Sequence, residues 1–488
     1  MTGEAHKPIA QPGRNAWRVE QADQATVIVD AEDYFRAARD AMLKAKRQIL
    51  LIGWDFDARI RLADPAEDEP DAPVEVGAFI TWLARRSPEL QIYLLRWDVG
   101  AIKSLVRGTT VATLARWMMH PRIHPKWDGR HPTGASHHQK IVVIDDCLAF
   151  CGGIDMTTGR WDTRAHDDEE PRRVNPNGGP YGPWHDATTA LQGPIAKALG
   201  ELCRERWALA GGKPIAAPEA NNACWPDCLK PDFYNIPAAI SRTHPEMKDI
   251  EPVFEIEQLY LDLIAGAKRS IYAESQYFAS RRIAEALARR LDEPDGPEIV
   301  IVNPIAADGW LEQVAMDTAR ARLVEALHRR DTHGRLKLYH PYTAGGEPIY
   351  VHAKVFAVDD VTLRVGSSNF NNRSLRLDTE CDVTIECGVP GDAVSKRIVE
   401  IRDGLIAEHL GRDRAEVAAG IAADGLIHTI ETMRLREGRT LRPYEVPDLS
   451  DVSAWLADHE VLDPENPEDL FEPIQSGTLF KRLRKPAG

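Results

Sequence analysis

One pattern occurs twice in this 488-residue chain. His138-Gln-Lys140 is followed by Ile-Val-Val-Ile and Asp145, and His352-Ala-Lys354 by Val-Phe-Ala-Val and Asp359. In each copy the apolar run ends at two aspartates, Asp145-Asp146 and Asp359-Asp360, which reads as strand, turn, strand. Side chains two apart on a strand share a face, so each His and its Lys point at one target. The aspartate five residues past the lysine falls on the opposite face, so spacing alone makes Asp145 and Asp359 structural. The copies also agree at the small pair fourteen and fifteen residues past the histidine, Gly152-Gly153 and Gly366-Ser367. They agree again at the polar residue seventeen on, Asp155 or Asn369. A lone His-x-Lys carries no information, whereas this coincidence requires two halves that each contribute a basic pair.

A two-residue Asp-Asp turn would set Ser367 opposite His352 and Gly153 facing His138, and any other loop length would shift that register. Small residues beside an imidazole leave a hole of phosphate size, with Asn369 and Asp155 on the same face. The expected anion-binding set is therefore Lys140, Lys354, Ser367, Asn369, Gly153 and Asp155.

The order of elements repeats with the motif. In the first half, helical periodicity over 31–47, 74–86 and 103–119 alternates with strands over 48–56 and 90–97. A strand over 186–191 and a helix over 194–209 follow the hairpin. In the second, helices over 254–268, 282–291, 312–330 and 393–410 alternate with strands over 271–278, 298–303, 336–340 and 381–386. Matching order with one motif per half implies an internal duplication and an α/β architecture. The boundaries expected are a flexible arm over 1–24, a first half over 25–210, a Pro- and Asn-rich linker over 211–250 and a second half over 251–412. A C-terminal segment over 413–488 is read as helical to about 436 and then as an acidic, Pro-punctuated strap.

The doubled motif, with Gly366-Ser-Ser-Asn369-Phe-Asn-Asn372-Arg373-Ser374-Leu-Arg-Leu-Asp378-Thr-Glu380, resembles the phospholipase D superfamily. Pro183-Trp184-His185-Asp186 and Ile271-Tyr-Ala-Glu274-Ser-Gln276-Tyr277-Phe278 are most similar to its eukaryotic-type and related bacterial phospholipases D. The resemblance covers roughly residues 30 to 410. It implies a duplicated α/β/α sandwich whose two halves pack with the active site at their interface. It groups His138, Lys140, Asp145, His352, Lys354 and Asp359 as the catalytic set, although parity sets the two aspartates apart. It also implies that His138 attacks phosphorus, that His352 protonates the leaving group, and that a carboxylate fixes each imidazole: Glu380 for His352 and Asp186 for His138. The activity implied is hydrolysis of the distal phosphodiester of glycerophospholipids to phosphatidic acid, with transfer to small alcohols. A cardiolipin-synthase-like phosphatidyltransferase stands next, then a nuclease, then a catalytically dead lipid-binding module. Intact His and Lys in both copies disfavour the last.

Composition narrows these options. A formal net charge of −15 gives little reason to attract a polyanion, so lipid is favoured over nucleic acid. The first twenty residues lack an apolar stretch, and no run of eighteen apolar residues occurs. A cytoplasmic protein, peripheral to a phospholipid surface and monomeric, is expected. Seven scattered cysteines form no disulfide framework. Cys224 and Cys228 lack further ligands nearby, so no metal and no cofactor are expected, with calcium stimulation conceivable only at a lipid surface. The charged insertion 156–183 reads either as a cover over the site or as an ordinary surface excursion. Trp161 within it is a candidate to dip into an interface, while Trp54, Trp97 and Trp184 at strand ends read as core or pocket lining.

Overall fold

The computed structural model describes residues 6–64, 71–97, 108–219, 223–306 and 310–446. The first half contains β1 (Arg18–Val29), β2 (Gln48–Gly53), β3 (Gln91–Trp97), β4 (Ile123–Asp128), β5 (Ile141–Ile144), β6 (Leu148–Gly152), β7 (Trp184–His185) and β8 (Ala187–Gln192). The second contains β9 (Phe233–His244), β10 (Val253–Phe254), β11 (Ser270–Glu274), β12 (Glu298–Val302), β13 (Leu336–Tyr342), β14 (Tyr350–Val351), β15 (Val355–Val358), β16 (Thr362–Gly366) and β17 (Glu380–Glu386). β18 (Thr440–Pro443) closes the series.

All but β7 and β14 join one 16-stranded sheet, in the order β18-β13-β12-β11-β15-β16-β17-β9-β1-β8-β6-β5-β2-β3-β4, with β10 on β9. Read outward from the antiparallel β9–β1 pair, the two directions match strand for strand as far as β13 and β4, which is the duplication seen in the sequence, and β18 extends the second half beyond it. Helices cover the faces, among them Ala31–Leu43, Pro194–Leu209, Glu255–Gly266 and Ala393–Leu410. No helix among the described residues is long and apolar enough to cross a membrane.

The expected arm over 1–24 is corrected for the residues described. Ile9 and Ala10 donate backbone N–H groups to Glu386, Asn15 is buried, and β1 starts at Arg18. The expected linker over 211–250 likewise contains β9. Both strands escaped the sequence reading for one reason. They lie where the halves meet, and small residues such as Ala22, Ala25, Ala238 and Ala239 fill the buried positions in place of the branched ones that mark a strand. The expected helical stretch after 413 comprises Arg414–Asp424 and Leu426–Met433. β18 then pairs with the edge of β13, and the rest of the strap, 447–488, lies outside the described residues.

The hairpins differ from expectation by one residue. Ile144 pairs with Leu148 and Val358 with Thr362, so three residues intervene rather than two. Asp145, Asp146 and Asp359 adopt positive φ of 52°, 51° and 50°, which short polar side chains tolerate. The shifted register sets Gly153 opposite Gln139 and Ser367 opposite Ala353, instead of opposite the histidines.

Asp145 and Asp359 lie in the turns beyond β5 and β15 and bind backbone N–H groups, a structural place that corrects their inclusion in the catalytic set. Asp145 accepts the backbone N–H groups of Lys46, Arg47 and Gln48 at 2.6, 2.8 and 2.6 Å, tying the hairpin to the start of β2. Asp359 does the same for Lys268, Arg269 and Ser270 before β11. Asp145→Asn turns an NH2 toward a donor that needs an acceptor. It is expected to cost roughly 2–3 kcal/mol and to lower Tm while the folded enzyme keeps its kcat, as a melting curve beside an initial-rate assay would show. Activity lost at unchanged Tm would return that aspartate to the site.

Candidate active site

Two short parallel contacts bring the motifs together across the halves. The His138 N–H donates to the carbonyl of Thr379 at 2.9 Å, and the His352 N–H to that of His185 at 2.7 Å. β14 lies beside β7, pairing Val351 with His185. Each histidine, three residues ahead of its strand, thus lies next to the segment of the other half that carries a carboxylate.

The side chains follow. His138 Nδ1 lies 3.0 Å from both carboxylate oxygens of Glu380, and His352 Nδ1 lies 2.6 Å from Asp186 Oδ2. The expected pairing, Glu380 with His352 and Asp186 with His138, is therefore reversed. Asp186 and Glu380 are equivalent positions, each two residues before the partner of the motif glycine, Thr188 for Gly152 and Asp382 for Gly366. The halves meet face to face, so each carboxylate reaches the opposite histidine and not its own. With Nδ1 engaged, Nε2 is the ring nitrogen left for chemistry.

Three members of the expected anion-binding set turn out to support these pairs. A Cβ on Gly153 would stand 2.2 Å from Asp186 Oδ1, so the glycine makes room for the orienting carboxylate. Ser367 Oγ donates to Glu380 Oε2 at 2.5 Å. Asp155 lies 3.2 Å from Lys140 Nζ and repels an anion, so it holds the lysine. Lys140 and Lys354 also donate to the carbonyls of His138 and His352, which fixes both ammoniums beside the imidazoles. Asn369 is buried, its Nδ2 3.5 Å from Gln276 Oε1 and its Oδ1 without a hydrogen-bond partner.

Aromatic rings flank both histidines. Trp54 stacks on Trp97 and stands edge-on to His138 at 6.2 Å, while Trp184 stacks on Tyr350 and lies 5.1 Å from His352. Arg160 rests on Trp184 at 4.1 Å. This cation comes from the 156–183 insertion and was missed in the sequence, where nothing separates it from the other charges there. The insertion itself is not the polar excursion its composition suggests. Trp161, Asp162, His166 and Arg173 are buried, because the charges pair with one another. Trp161 packs in the core under Arg172, which corrects its expected role at an interface. Cys224 lies against Cys147 rather than joining Cys228, which is exposed.

Burial, then Lys140 and Lys354, drives His138 well below the ordinary imidazole value. Burial also drives His352 down, followed by Lys354, Arg160, Lys140 and His138 itself. Burial pushes Glu380 and Asp186 up and the Lys354 ammonium down. Both resting imidazoles are thus held neutral, and a bound phosphate anion supplies the field that lets one take a proton.

A general acid with a depressed value loses its proton at lower pH. For a soluble short-chain phosphodiester with an alkoxide leaving group, kcat/KM, which reports the free enzyme, should therefore fall on the acid side of the ordinary histidine range as pH rises. The kcat profile, which reports the complex, should extend to higher pH. Coincident profiles would show that substrate leaves the pair unshifted.

Comparison with known proteins places the two halves separately. A family model described as phospholipase D matches residues 41–224, and one described as cardiolipin synthase, PLD-like domain, matches 260–398. Phospholipase D alpha 1 of Carica papaya is 24% identical over 518 residues, covering 78% of this chain and 63% of that protein. Phospholipase D A of Dictyostelium discoideum is 25% identical over 490 residues, covering 81% of this chain and 36% of that protein. The chain thus spans less than two thirds of these curated relatives. The crystal structure of phosphatidylserine synthase from Haemophilus influenzae superposes with a TM-score of 0.53 at 13% identity, covering 95% of this chain and 96% of that one, a likeness of fold.

Proposed function

Because the chain belongs to the phospholipase D superfamily and keeps both half-sites intact, we propose that it is a phospholipase D. It would release the head group of glycerophospholipids and pass the phosphatidyl group to water or a small alcohol. The observation that carries this reading is the pair of imidazoles in one site, each held through Nδ1 by a carboxylate of the opposite half and each beside a lysine.

His138 Nε2 attacks phosphorus and forms the P–N bond, while the P–O bond to the head group breaks and His352 donates a proton to the departing oxygen. The Lys140 and Lys354 ammoniums and the Asn369 amide face the nonbridging oxygens, where negative charge grows. His352, now neutral, takes the proton of the incoming water or alcohol as its oxygen displaces His138 from phosphorus.

The match of the second half to the cardiolipin synthase model favours a second reading, transfer of the phosphatidyl group to a lipid glycerol through the same intermediate. Mass spectrometry of products from mixed phospholipids with ethanol present distinguishes them. Phosphatidylethanol with phosphatidic acid is expected. Cardiolipin-type products from phosphatidylglycerol without phosphatidic acid would support the second reading, and cleavage of nucleic acid alone would overturn both.

A further inference from the structure

Among the described residues, Arg160 is the insertion arginine that no carboxylate takes up. Arg164 pairs with Glu408, Arg172 with Glu32 and Asp64, and Arg173 with Asp162. The Arg160 guanidinium makes no ion pair or hydrogen bond with any described residue, and its Nε is buried. It rests on the Trp184 indole at 4.1 Å, and that indole stacks on Tyr350 at 4.6 Å. Trp184 is buried, and its own Nε1 also lacks a hydrogen-bond partner. One stack, 5.1 Å from His352, thus holds two donors that no acceptor satisfies. Taking a cation out of water without a counter-charge is costly, and contact with an aromatic face recovers only part of that cost. Proteins tolerate such a conflict where function needs the group.

The backbone fixes this placement. The chain leaves β6 through Asp155, which holds Lys140, and reaches Arg160 shortly after. On the way Asp57 donates its N–H to the Met156 carbonyl, Thr157 Oγ1 donates to Asp55 Oδ2 at 2.8 Å, and Gly159 takes a positive φ of 72°. Just past Arg160 the Trp161 carbonyl accepts from the Tyr181 hydroxyl at 2.9 Å. The arginine therefore stands on a stretch tied down on both sides, as a donor that must meet its target in one geometry requires. Its field reaches the general acid: burial, then Lys354, then Arg160 lower His352.

We propose that Arg160 is a further catalytic residue, whose guanidinium donates to a nonbridging oxygen of the phosphodiester on the His352 side of phosphorus, where the head group departs. The proposal rests on the phosphodiester chemistry argued above. A phosphodiester brings one negative charge, and its nonbridging oxygens gain more as the transition state forms. Lys140 and Lys354 meet that charge as ammoniums, each also donating to the carbonyl of its own histidine. Arg160 adds a planar fork that matches phosphoryl oxygens and that no described protein acceptor engages. Trp184 is then its positioning residue, since the indole holds the fork beside His352.

Arg160→Ala in the full chain should keep its Tm and lose roughly 10²–10³-fold in kcat, on a p-nitrophenyl phosphodiester as much as on phospholipid. A fault passed on through His352 would spare the nitrophenolate burst, because that leaving group departs without a proton. Guanidinium ion at a non-denaturing concentration should restore part of the rate to Arg160→Ala, and urea should not. Calorimetry with inorganic phosphate as the probe should show binding weaker by about tenfold or more in the variant, as loss of a charge-assisted hydrogen bond implies. Arg160→Lys keeps the charge without the fork, should fall between the two, and carries the same test should Arg160→Ala fail to fold. An undiminished burst, or phosphate binding unchanged in the variants, would overturn the contact while the proposed function stands. Wild-type protein that binds phosphate through Arg160 yet cleaves no phosphodiester would instead overturn the proposed function and keep the contact.

Discussion

With a p-nitrophenyl phosphodiester, the His352→Asn protein is expected to release a burst of nitrophenolate and then stall as phosphohistidine, while His138→Asn releases nothing above background. Nitrophenolate departs without a proton, so the acid is dispensable in the first step and the nucleophile is not. The same His352 is needed later to deprotonate water, so the intermediate accumulates. With a phospholipid, whose leaving oxygen does need a proton, His352→Asn should lose roughly 10²–10⁴-fold in the first step as well. The two copies are nearly symmetric, and the assignment of attack to His138 follows the family resemblance. Rapid-quench detection of the burst and an acid-labile phosphoprotein would check it. A burst from His138→Asn with none from His352→Asn would exchange the roles and leave the reaction class unchanged.

The crossed carboxylates give the second large effect. Glu380 stands behind His138 and Asp186 behind His352, so Glu380→Gln should behave like loss of the nucleophile and Asp186→Asn like loss of the acid. An amide cannot hold Nδ1–H as a carboxylate does, nor stabilise positive charge on the ring. Comparable carboxylate-to-amide changes cost roughly 10⁴-fold. The nitrophenyl burst should therefore disappear in Glu380→Gln and survive in Asp186→Asn, with Tm measured in parallel because both side chains are fully buried. The reverse pattern would restore the pairing of each histidine with the carboxylate of its own half.

These two experiments divide what was legible in the chain from what was not. The duplication, the α/β order and the identity of His138, Lys140, His352 and Lys354 are local facts. They rest on offsets along the chain and on the alternation of a strand, which hold wherever the halves end up. That Asp145 and Asp359 are structural was legible for the same reason, since parity sets them apart from the face of the His and Lys; their place in the turn, where they cap the starts of β2 and β11, was not. The helices near the site were legible from their 3.6-residue period.

What the tertiary structure decided is everything that depends on one half meeting the other. The central strands β1 and β9 pair where the halves join and carry buried alanines, and that hides the signal of a strand. The turn needed one residue more than Asp-Asp, and that single residue moved Gly153 and Ser367 from the phosphate to the carboxylates behind the histidines. Asp30, His166, His185 and Glu408 stand 19 to 378 residues apart and become one cluster only by folding. Likewise, which carboxylate serves which histidine is a property of a face-to-face packing about the β9–β1 pair. Residue spacing within either half carries no information about it, because both pairings satisfy the same chemistry and only the packing brings one of them within 3.0 Å.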